Sequence, residues 1–269
     1  MKIVRVCKFL AILFCLIIFN NIKAMDSRPL IVVLDGPTCS GKSSLAECFM
    51  NVVEKKQRDR WAYVSVDDVG DGDDCWDEEY LHRATIKNIK DCVAIKNRFV
   101  LCDTVIDDLR WYKLFREELK NYNVLSVFVH CPLKILVERL TQRNIRAHSS
   151  GDLPNLRRVV DVMYAFGRMY SKTDQNCGLG VFSYQMFKEI VDSISHVCIS
   201  PQDWNQFGRR YEVFDIKNDE TFYLKLNMPH DLVVYNYPIM QEAQSADSLQ
   251  IQKIVNRRCV QEILSRLGF

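Results

Sequence analysis

Short apolar runs alternate with longer stretches of helical periodicity through most of the chain. Each run has the length of a buried strand, and the predicted strands span residues 31–34, 61–66, 99–102, 124–129 and 196–199. Between them, apolar residues recur every three or four positions, which predicts helices over residues 42–56, 78–95, 107–120, 133–143, 156–170 and 183–193. This alternation predicts an α/β fold in which helices cover both faces of a five-stranded, mainly parallel sheet.

The pattern changes after Pro201, where we place a domain boundary. Residues 211–216 and 221–226 are apolar and flank a polar turn, which predicts a β-hairpin. Further on, an apolar stripe predicts an amphipathic C-terminal helix, with Ile251, Ile254, Val255, Val260, Ile263, Leu264 and Leu267 on one face. We therefore expect an α/β domain at residues 28–200 and a small hairpin-and-helix extension at residues 201–269.

Residues 1–24 have the pattern of a targeting segment. Lys2, Arg5 and Lys8 precede an apolar run at residues 9–19, and Ala24 offers a small residue at a cleavage point. We expect a cleaved signal peptide or an N-terminal anchor, and hence an exported or membrane-anchored protein. A cleaved signal would leave no stable membrane span, and a segment that is not used would leave the protein in the cytoplasm.

One glycine-rich turn connects the first predicted strand to the first predicted helix. It reads Gly36-x-x-x-x-Gly41-Lys42-Ser43, the pattern of a phosphate-binding P-loop. Glycines let successive backbone N–H groups converge on phosphate oxygens, and the helix N-terminus adds partial positive charge. We expect the loop to bind a nucleotide through Gly36, Pro37, Thr38, Cys39, Ser40, Gly41, Lys42, Ser43 and Ser44.

Two aspartates follow the second and third predicted strands. Asp67 and Asp103 would lie beside the P-loop, because doubly wound folds bind ligands beyond the carboxyl ends of their strands. The common location of the P-loop and these two carboxylates is a stronger indication of a site than any one motif. A polar acidic segment at residues 70–74 is more typical of a solvated loop.

Charge and cysteine content exclude two classes of function. The net charge is +2, and residues 1–24 hold four basic residues and no acidic ones, so the remainder is slightly acidic. Such a balance argues against general nucleic-acid binding. Of the eleven cysteines, nine follow residue 24, and none forms a CxxC pair, which makes a zinc site unlikely. We expect them to be free thiols, several of them buried.

The chain resembles the chloramphenicol phosphotransferase-like P-loop kinases over about residues 30–199. The resemblance rests on the segments at residues 33–44, 61–67, 99–103 and 123–131, and on Arg139, Arg143 and Arg146 in a lid-like segment. Two departures stand out, since Thr104 occupies a position where the family often has a second acid, and Asn144-Ile145 replaces the usual Gly-Asp pair of the lid.

The resemblance implies an ATP-dependent kinase that phosphorylates a hydroxyl of a small molecule. Lys42 would contact the terminal phosphates, Mg²⁺ would bind Ser43 and Asp103, and Asp67 would be the general base. Arg139 and Arg143 would clamp the phosphates. Asp67 could equally bind Mg²⁺ or cap a helix, and the two arginines could equally form a solvated helix face.

Two other functions fit parts of the sequence. A GTPase or another P-loop NTPase would use residues 67–70, which fit Asp-x-x-Gly, and residues 171–174, which approach Asn-Lys-x-Asp. An exported nucleotide-binding or interaction protein without catalytic activity would account for the N-terminal segment. Neither the acceptor nor protein partners can be deduced from the sequence, although Trp76, Trp111 and Tyr112 are candidates to line an acceptor pocket.

Overall fold

The computed structural model describes residues 28–53, 60–69, 77–96, 99–149, 165–173, 179–195, 221–238 and 248–268. The targeting segment, the strand predicted at residues 196–199 and the first hairpin strand at residues 211–216 lie outside the described residues. Within the described ranges, no helix is both long enough and apolar enough to cross a membrane.

The centre of the protein is a parallel five-stranded sheet. Its strands are β1 (Leu30–Asp35), β2 (Trp61–Ser65), β3 (Phe99–Asp103), β4 (Asn123–His130) and β8 (Leu232–Tyr235), in the order β2-β3-β1-β4-β8. Strand β1 pairs with β3 on one side and β4 on the other, so the P-loop that follows it emerges from the middle of the sheet. The predicted parallel α/β fold is confirmed.

Helices cover both faces of this sheet. They are α1 (Lys42–Val52), α2 (Glu78–Lys96), α3 (Leu109–Glu118), α4 (Leu133–Ser149), α5 (Tyr184–Ser195) and α6 (Ser248–Leu267). The alternating side chains of β1 enter two different cores: Leu30, Val32 and Leu34 pack towards α1 and α6, whereas Ile31 and Val33 pack towards α2, α3 and α4. Because both faces of β1 are buried, its sequence is a continuous apolar run.

The fifth strand of the described sheet comes from residues 232–235, a segment for which the sequence predicts no strand. Residues 232–235 pair in parallel with β4, as in the contact of Phe128 with Val233, and form an edge of the sheet. Helix α6 then packs against α1, with Val255, Val260 and Ile263 fully or almost fully buried. The described part of residues 201–269, predicted as a separate extension, thus completes the central sheet and one of its cores.

A second sheet was not predicted in this form. It is antiparallel and contains β5 (Tyr170–Thr173), β6 (Gly180–Ser183) and β7 (Thr221–Leu226), in the order β5-β7-β6. The sequence predicts a hairpin partner for residues 221–226 at residues 211–216, but β7 pairs here with β5 and β6. Tyr170, predicted as the end of a helix, begins a strand, and its ring stacks on Phe166 in the core between the two sheets.

Helix α4 is longer than predicted. The sequence loses its apolar periodicity after Arg143, yet the helix continues to Ser149, so Arg146 lies in a helix and not in a polar loop. Asn144, Arg146 and His148 are all compatible with a helical backbone, and polar helix ends carry no periodic signal. Among the cysteines of the described residues, Cys48, Cys92, Cys102 and Cys131 are free thiols as predicted.

Candidate active site

The P-loop curls tightly between β1 and α1. Gly36 and Gly41 have φ angles of 150° and 91°, which side chains rarely allow, and Cys39 also has a positive φ of 66°. A Cβ atom on Gly36 would lie 2.7 Å from the carbonyl oxygen of Val129 on β4. Gly36 is therefore required both by backbone conformation and by close packing against the sheet, and Gly41 is required by its positive φ.

Lys42 lies buried in the mouth of the loop. Its ammonium group donates to the carbonyl oxygens of Gly36, at 2.8 Å, and Pro37, at 3.0 Å. Burial lowers the pKa of Lys42, and the carboxylates of Asp35, Asp103 and Asp67 oppose that shift. The ammonium group thus sits among three acids, in a position from which it can reach phosphates bound by the loop.

The structure brings together the two predicted Mg²⁺ ligands. The hydroxyl of Ser43 donates to Oδ2 of Asp103 at 2.7 Å, which joins the first residues of α1 to the end of β3. The other oxygen, Oδ1, is buried and has no hydrogen-bond partner. A hard cation prefers such oxygen ligands, and Mg²⁺ is commonly held by one or two protein groups together with substrate phosphates and water. The residues present therefore fit Mg²⁺ bound with a nucleotide.

No group of three or more His, Cys, Asp or Glu side chains able to hold a metal occurs among the described residues. A divalent ion at Ser43 and Asp103 would consequently depend on the phosphates for most of its ligands. Beside this pair, the Thr104 hydroxyl is also buried without a partner. Thr104 occupies the position at which the chloramphenicol phosphotransferase-like kinases often have a second acid.

Asp67 lies at the rim of the site. It belongs to a 3₁₀ turn at Val66–Asp68 that follows β2, and its backbone N–H donates to Oγ of Ser65. Its side chain is exposed, yet close enough to Lys42 to influence the pKa of that ammonium group. The Asp67 carboxylate is therefore open to solvent and lies within electrostatic range of the Lys42 ammonium group.

Tyr63 is a neighbour that the sequence did not single out. It lies on β2, opposite Leu101 of β3. Partial burial of the phenol, followed by the nearby Asp103 carboxylate, raises its pKa above the ordinary value, and the protonated hydroxyl is a hydrogen-bond donor at the site. An aromatic at the third position of a short strand is typical of ordinary sheet packing, and no sequence signal distinguishes this one.

The two predicted arginines of α4 differ in their surroundings. Arg139 is half-buried, and its guanidinium group donates to the carbonyl oxygens of Cys39, Ser40 and Asn236 and to Oε1 of Gln252. Arg143, one turn further on, is exposed. In this structure Arg139 supports the P-loop from outside, while Arg143 is free of such packing and available to a ligand.

Asp35 is the principal site residue that the sequence reasoning missed. It ends β1 and is fully buried, and its Oδ1 accepts the N–H groups of Gly36 and Ile106 at 2.7 Å each. Its Oδ2 lies 2.9 Å from Nε2 of His230, whose side chain is also fully buried. The argument that identified Asp103, an acid at the carboxyl end of an apolar strand, applies equally to Asp35. Its partner is 195 residues away and carries no such signal.

Trp111, one of the residues predicted to line an acceptor pocket, lies on α3 and contacts α2. The Trp111 indole N–H reaches Glu78 at 3.4 Å, and the Trp111 ring packs 5.0 Å from that of His82, whose Nδ1 is buried without a partner. Tyr112, the other predicted pocket residue, is buried and donates its hydroxyl to the Pro229 carbonyl, so it supports the fold. Trp76 lies outside the described residues.

Comparisons with known proteins agree with the resemblance in the sequence. Residues 29–160 match the family model described as chloramphenicol phosphotransferase-like protein. No curated protein matches the chain. Similar solved structures include a gluconokinase from Sinorhizobium meliloti 1021, with 11% identity, 88% of this chain and 97% of that chain covered and a TM-score of 0.39.

Two further structures are a shikimate kinase from Bacteroides thetaiotaomicron and an APS kinase from Mycobacterium tuberculosis in complex with AMPPNP and APS. The first has 13% identity, a TM-score of 0.38 and coverage of 88% of this chain and 98% of that chain. The second has 18% identity, a TM-score of 0.36 and coverage of 46% and 75%. With its P-loop, its parallel sheet and the match over residues 29–160, this part of the chain is similar to the chloramphenicol phosphotransferase-like family.

Proposed function

We propose that the protein transfers the γ-phosphate of ATP to a hydroxyl group of a small molecule. The observation that carries the proposal is the contact between Ser43 and Asp103, whose second oxygen is buried without a partner beside the P-loop lysine. A buried carboxylate oxygen without a partner costs free energy, and a Mg²⁺ ion that enters with the nucleotide would satisfy it.

Each side chain then has a defined task. Backbone N–H groups within residues 38–44 bind the phosphates, and Lys42 exchanges its bonds to the Gly36 and Pro37 carbonyls for bonds to phosphate oxygens. Ser43 and Asp103 would hold Mg²⁺, which neutralises phosphate charge when bound. In the reaction, the acceptor oxygen bonds to the γ-phosphorus, the bond to the bridging oxygen of ADP breaks, and Asp67 takes the hydroxyl proton.

Asp67→Asn tests the assignment of the base. We expect wild-type binding of Mg²⁺–ATP and a fall in kcat of about 10²–10⁴-fold, measured as acceptor-dependent ADP release from a library of hydroxylated small molecules. Asp68→Asn is the matched control, since Asp68 is exposed on the same 3₁₀ turn, and should retain activity. Lys42→Ala should abolish both binding and turnover.

Two results would contradict the proposal. The wild type could bind ATP and phosphorylate none of the acceptors, which would favour a nucleotide-binding protein without catalytic activity, or Asp67→Asn could be as active as the wild type. Stabilisation of the fold by GTP–Mg²⁺ and not by ATP–Mg²⁺ would favour a GTPase. One observation argues against the GTPase. Part of its candidate guanine motif, at residues 171–173, forms strand β5 of the second sheet and does not lie at the nucleotide edge of the central sheet.

A further inference from the structure

The outer side of the P-loop is held by polar side chains from the C-terminal segment. When the N–H groups of such a loop face inward to phosphates, its carbonyl groups face outward, and each buried carbonyl needs a donor. Asn236, which follows β8, donates from Nδ2 to the Ser40 carbonyl at 2.7 Å. Asn256 of α6 donates to the Ser44 carbonyl at 3.4 Å, and Arg139 donates to Ser40 at 3.1 Å.

Gln252 connects these three donors. Its Oε1 accepts from the Arg139 guanidinium group at 2.9 Å. Its Nε2 donates to Oδ1 of Asn236 at 3.1 Å and to Oδ1 of Asn256 at 2.8 Å. Because each asparagine oxygen is engaged by Gln252, each asparagine NH₂ group is turned towards the loop. One amide of α6 therefore fixes the orientation of two others.

The contact between Asn236 and the loop is also tight. Asn236 is fully buried, and its Nδ2 would lie 2.3 Å from a Cβ atom placed on Gly41. Its backbone is fixed in turn, because its N–H donates to the His130 carbonyl at 2.9 Å and its carbonyl accepts from Arg139 at 3.0 Å. Gly41 thus has a second reason to be glycine, beyond its positive φ.

We infer that Gln252, Asn236 and Asn256 are positioning residues that preorganise the P-loop for the phosphates of the nucleotide. They touch no phosphate themselves, and they act by holding the loop carbonyls so that its N–H groups converge before the nucleotide arrives. All three lie outside residues 29–160, the segment that the family model matches. The inference rests on the proposed binding of a nucleotide by this loop.

Gln252→Glu tests the positioning role of Gln252 and replaces only its amide NH₂ group with an oxygen. The carboxylate can still pair with Arg139 but can only repel the two asparagine oxygens, so both amides should turn and present oxygens to the loop carbonyls. Losing one or two such hydrogen bonds is expected to weaken binding of Mg²⁺–ATP by about tenfold or more, measured by calorimetry. Gln261→Glu, the same change at an exposed position of α6, should leave binding unchanged.

Gln252→Met serves as a second variant, which removes the hydrogen bonds without adding charge. Both variants should remain folded at the temperature of the binding assay, as checked by circular dichroism, when their affinity falls. In the free protein, amide hydrogen exchange over residues 36–44 should be faster in both than in the wild type or Gln261→Glu. This readout needs no nucleotide, so it remains decisive if the wild type binds no ATP and the proposed function fails. Unchanged exchange in that segment, or unchanged affinity in a folded Gln252→Glu protein, would overturn the inference.

Discussion

His230 lies between two oxygen acceptors in the interior of the protein. Its Nε2 faces Oδ2 of Asp35 at 2.9 Å, and its Nδ1 faces the Met228 carbonyl at 3.2 Å. Both contacts are hydrogen bonds when both ring nitrogens carry a proton. The Asp35 carboxylate also holds the N–H groups that begin the P-loop and that follow Asp103, so this pair connects three strands at the site.

Removing one partner of this pair should be costly. In His230→Ala the Asp35 carboxylate would stay buried without its partner, and we expect the free energy of unfolding to fall by about 3–5 kcal/mol in urea titrations. The double variant His230→Ala/Asp35→Asn should lose much less free energy of unfolding than the sum of the losses in the two single variants. Glu79→Gln, which breaks the exposed ion pair with Arg83, should change stability by less than about 1 kcal/mol. Additive effects of the two buried substitutions would refute a coupled pair.

The sequence predicts some elements far better than others. Strand β1 and helix α2 agree with their predictions because long periodic or continuous apolar patterns leave little choice of structure. Strand β8 was missed, since a run of four residues after Pro229 is too short to separate from a loop. Strands β5 and β6 are also four residues each, and their pairing with β7 depends on contacts distant in sequence.

The same limit applies to the candidate site. The P-loop and Ser43 could be predicted because they belong to a local sequence motif. Asp103 could be predicted because it is an acid at the end of an apolar strand. Asn236 and Gln252 could not, because an isolated amide in a loop or helix is ordinary until tertiary structure places it against a carbonyl. Arg139 was predicted to be at the site, but its four acceptors, which include Asn236 and Gln252, are visible only in the folded chain.

Two substitutions in helix α6 test whether this helix is part of the core. Ile263 is fully buried against the α1 side of the sheet, whereas Ile254 on the same helix is 42% exposed. Ile263→Ala should lower the free energy of unfolding by about 2–5 kcal/mol, because it leaves a cavity. Ile254→Ala should cost less than about 1 kcal/mol. If both substitutions lowered the free energy of unfolding by the same small amount in chemical denaturation, α6 would not be part of the core.

The two sheets meet at His130, whose Nδ1 contacts the phenol of Tyr170. Burial lowers the pKa of His130 to about 4, below the value of about 6.5 expected in the unfolded chain. Between these two values the unfolded chain binds a proton that the folded protein does not. This contribution to stability is therefore present above about pH 6.5 and is lost as the pH falls towards 4.

His130→Gln should remove this dependence while keeping a polar partner for Tyr170. Over pH 7 to 4.5 we expect the wild type to lose up to roughly 3 kcal/mol more of its free energy of unfolding than the variant, measured by denaturation at each pH. Asp108→Asn is a suitable control: hydrogen bonds from Arg110 lower the pKa of Asp108 to about 2, so its contribution is lost only at lower pH. Parallel curves for wild type and His130→Gln would contradict the prediction.

The placement of Asn236 against Ser40 has a consequence for biosynthesis. The two residues are 196 positions apart, so the P-loop is translated long before the groups that hold its carbonyls. At about 5–20 residues per second, that interval lasts roughly 10–40 s. During this time a nascent chain on the ribosome carries the motif but lacks β8, α6 and their donors. Nucleotide binding should therefore appear only once Asn236 and Asn256 have emerged from the ribosome, although the phosphate-binding motif is among the first parts of the fold to be made.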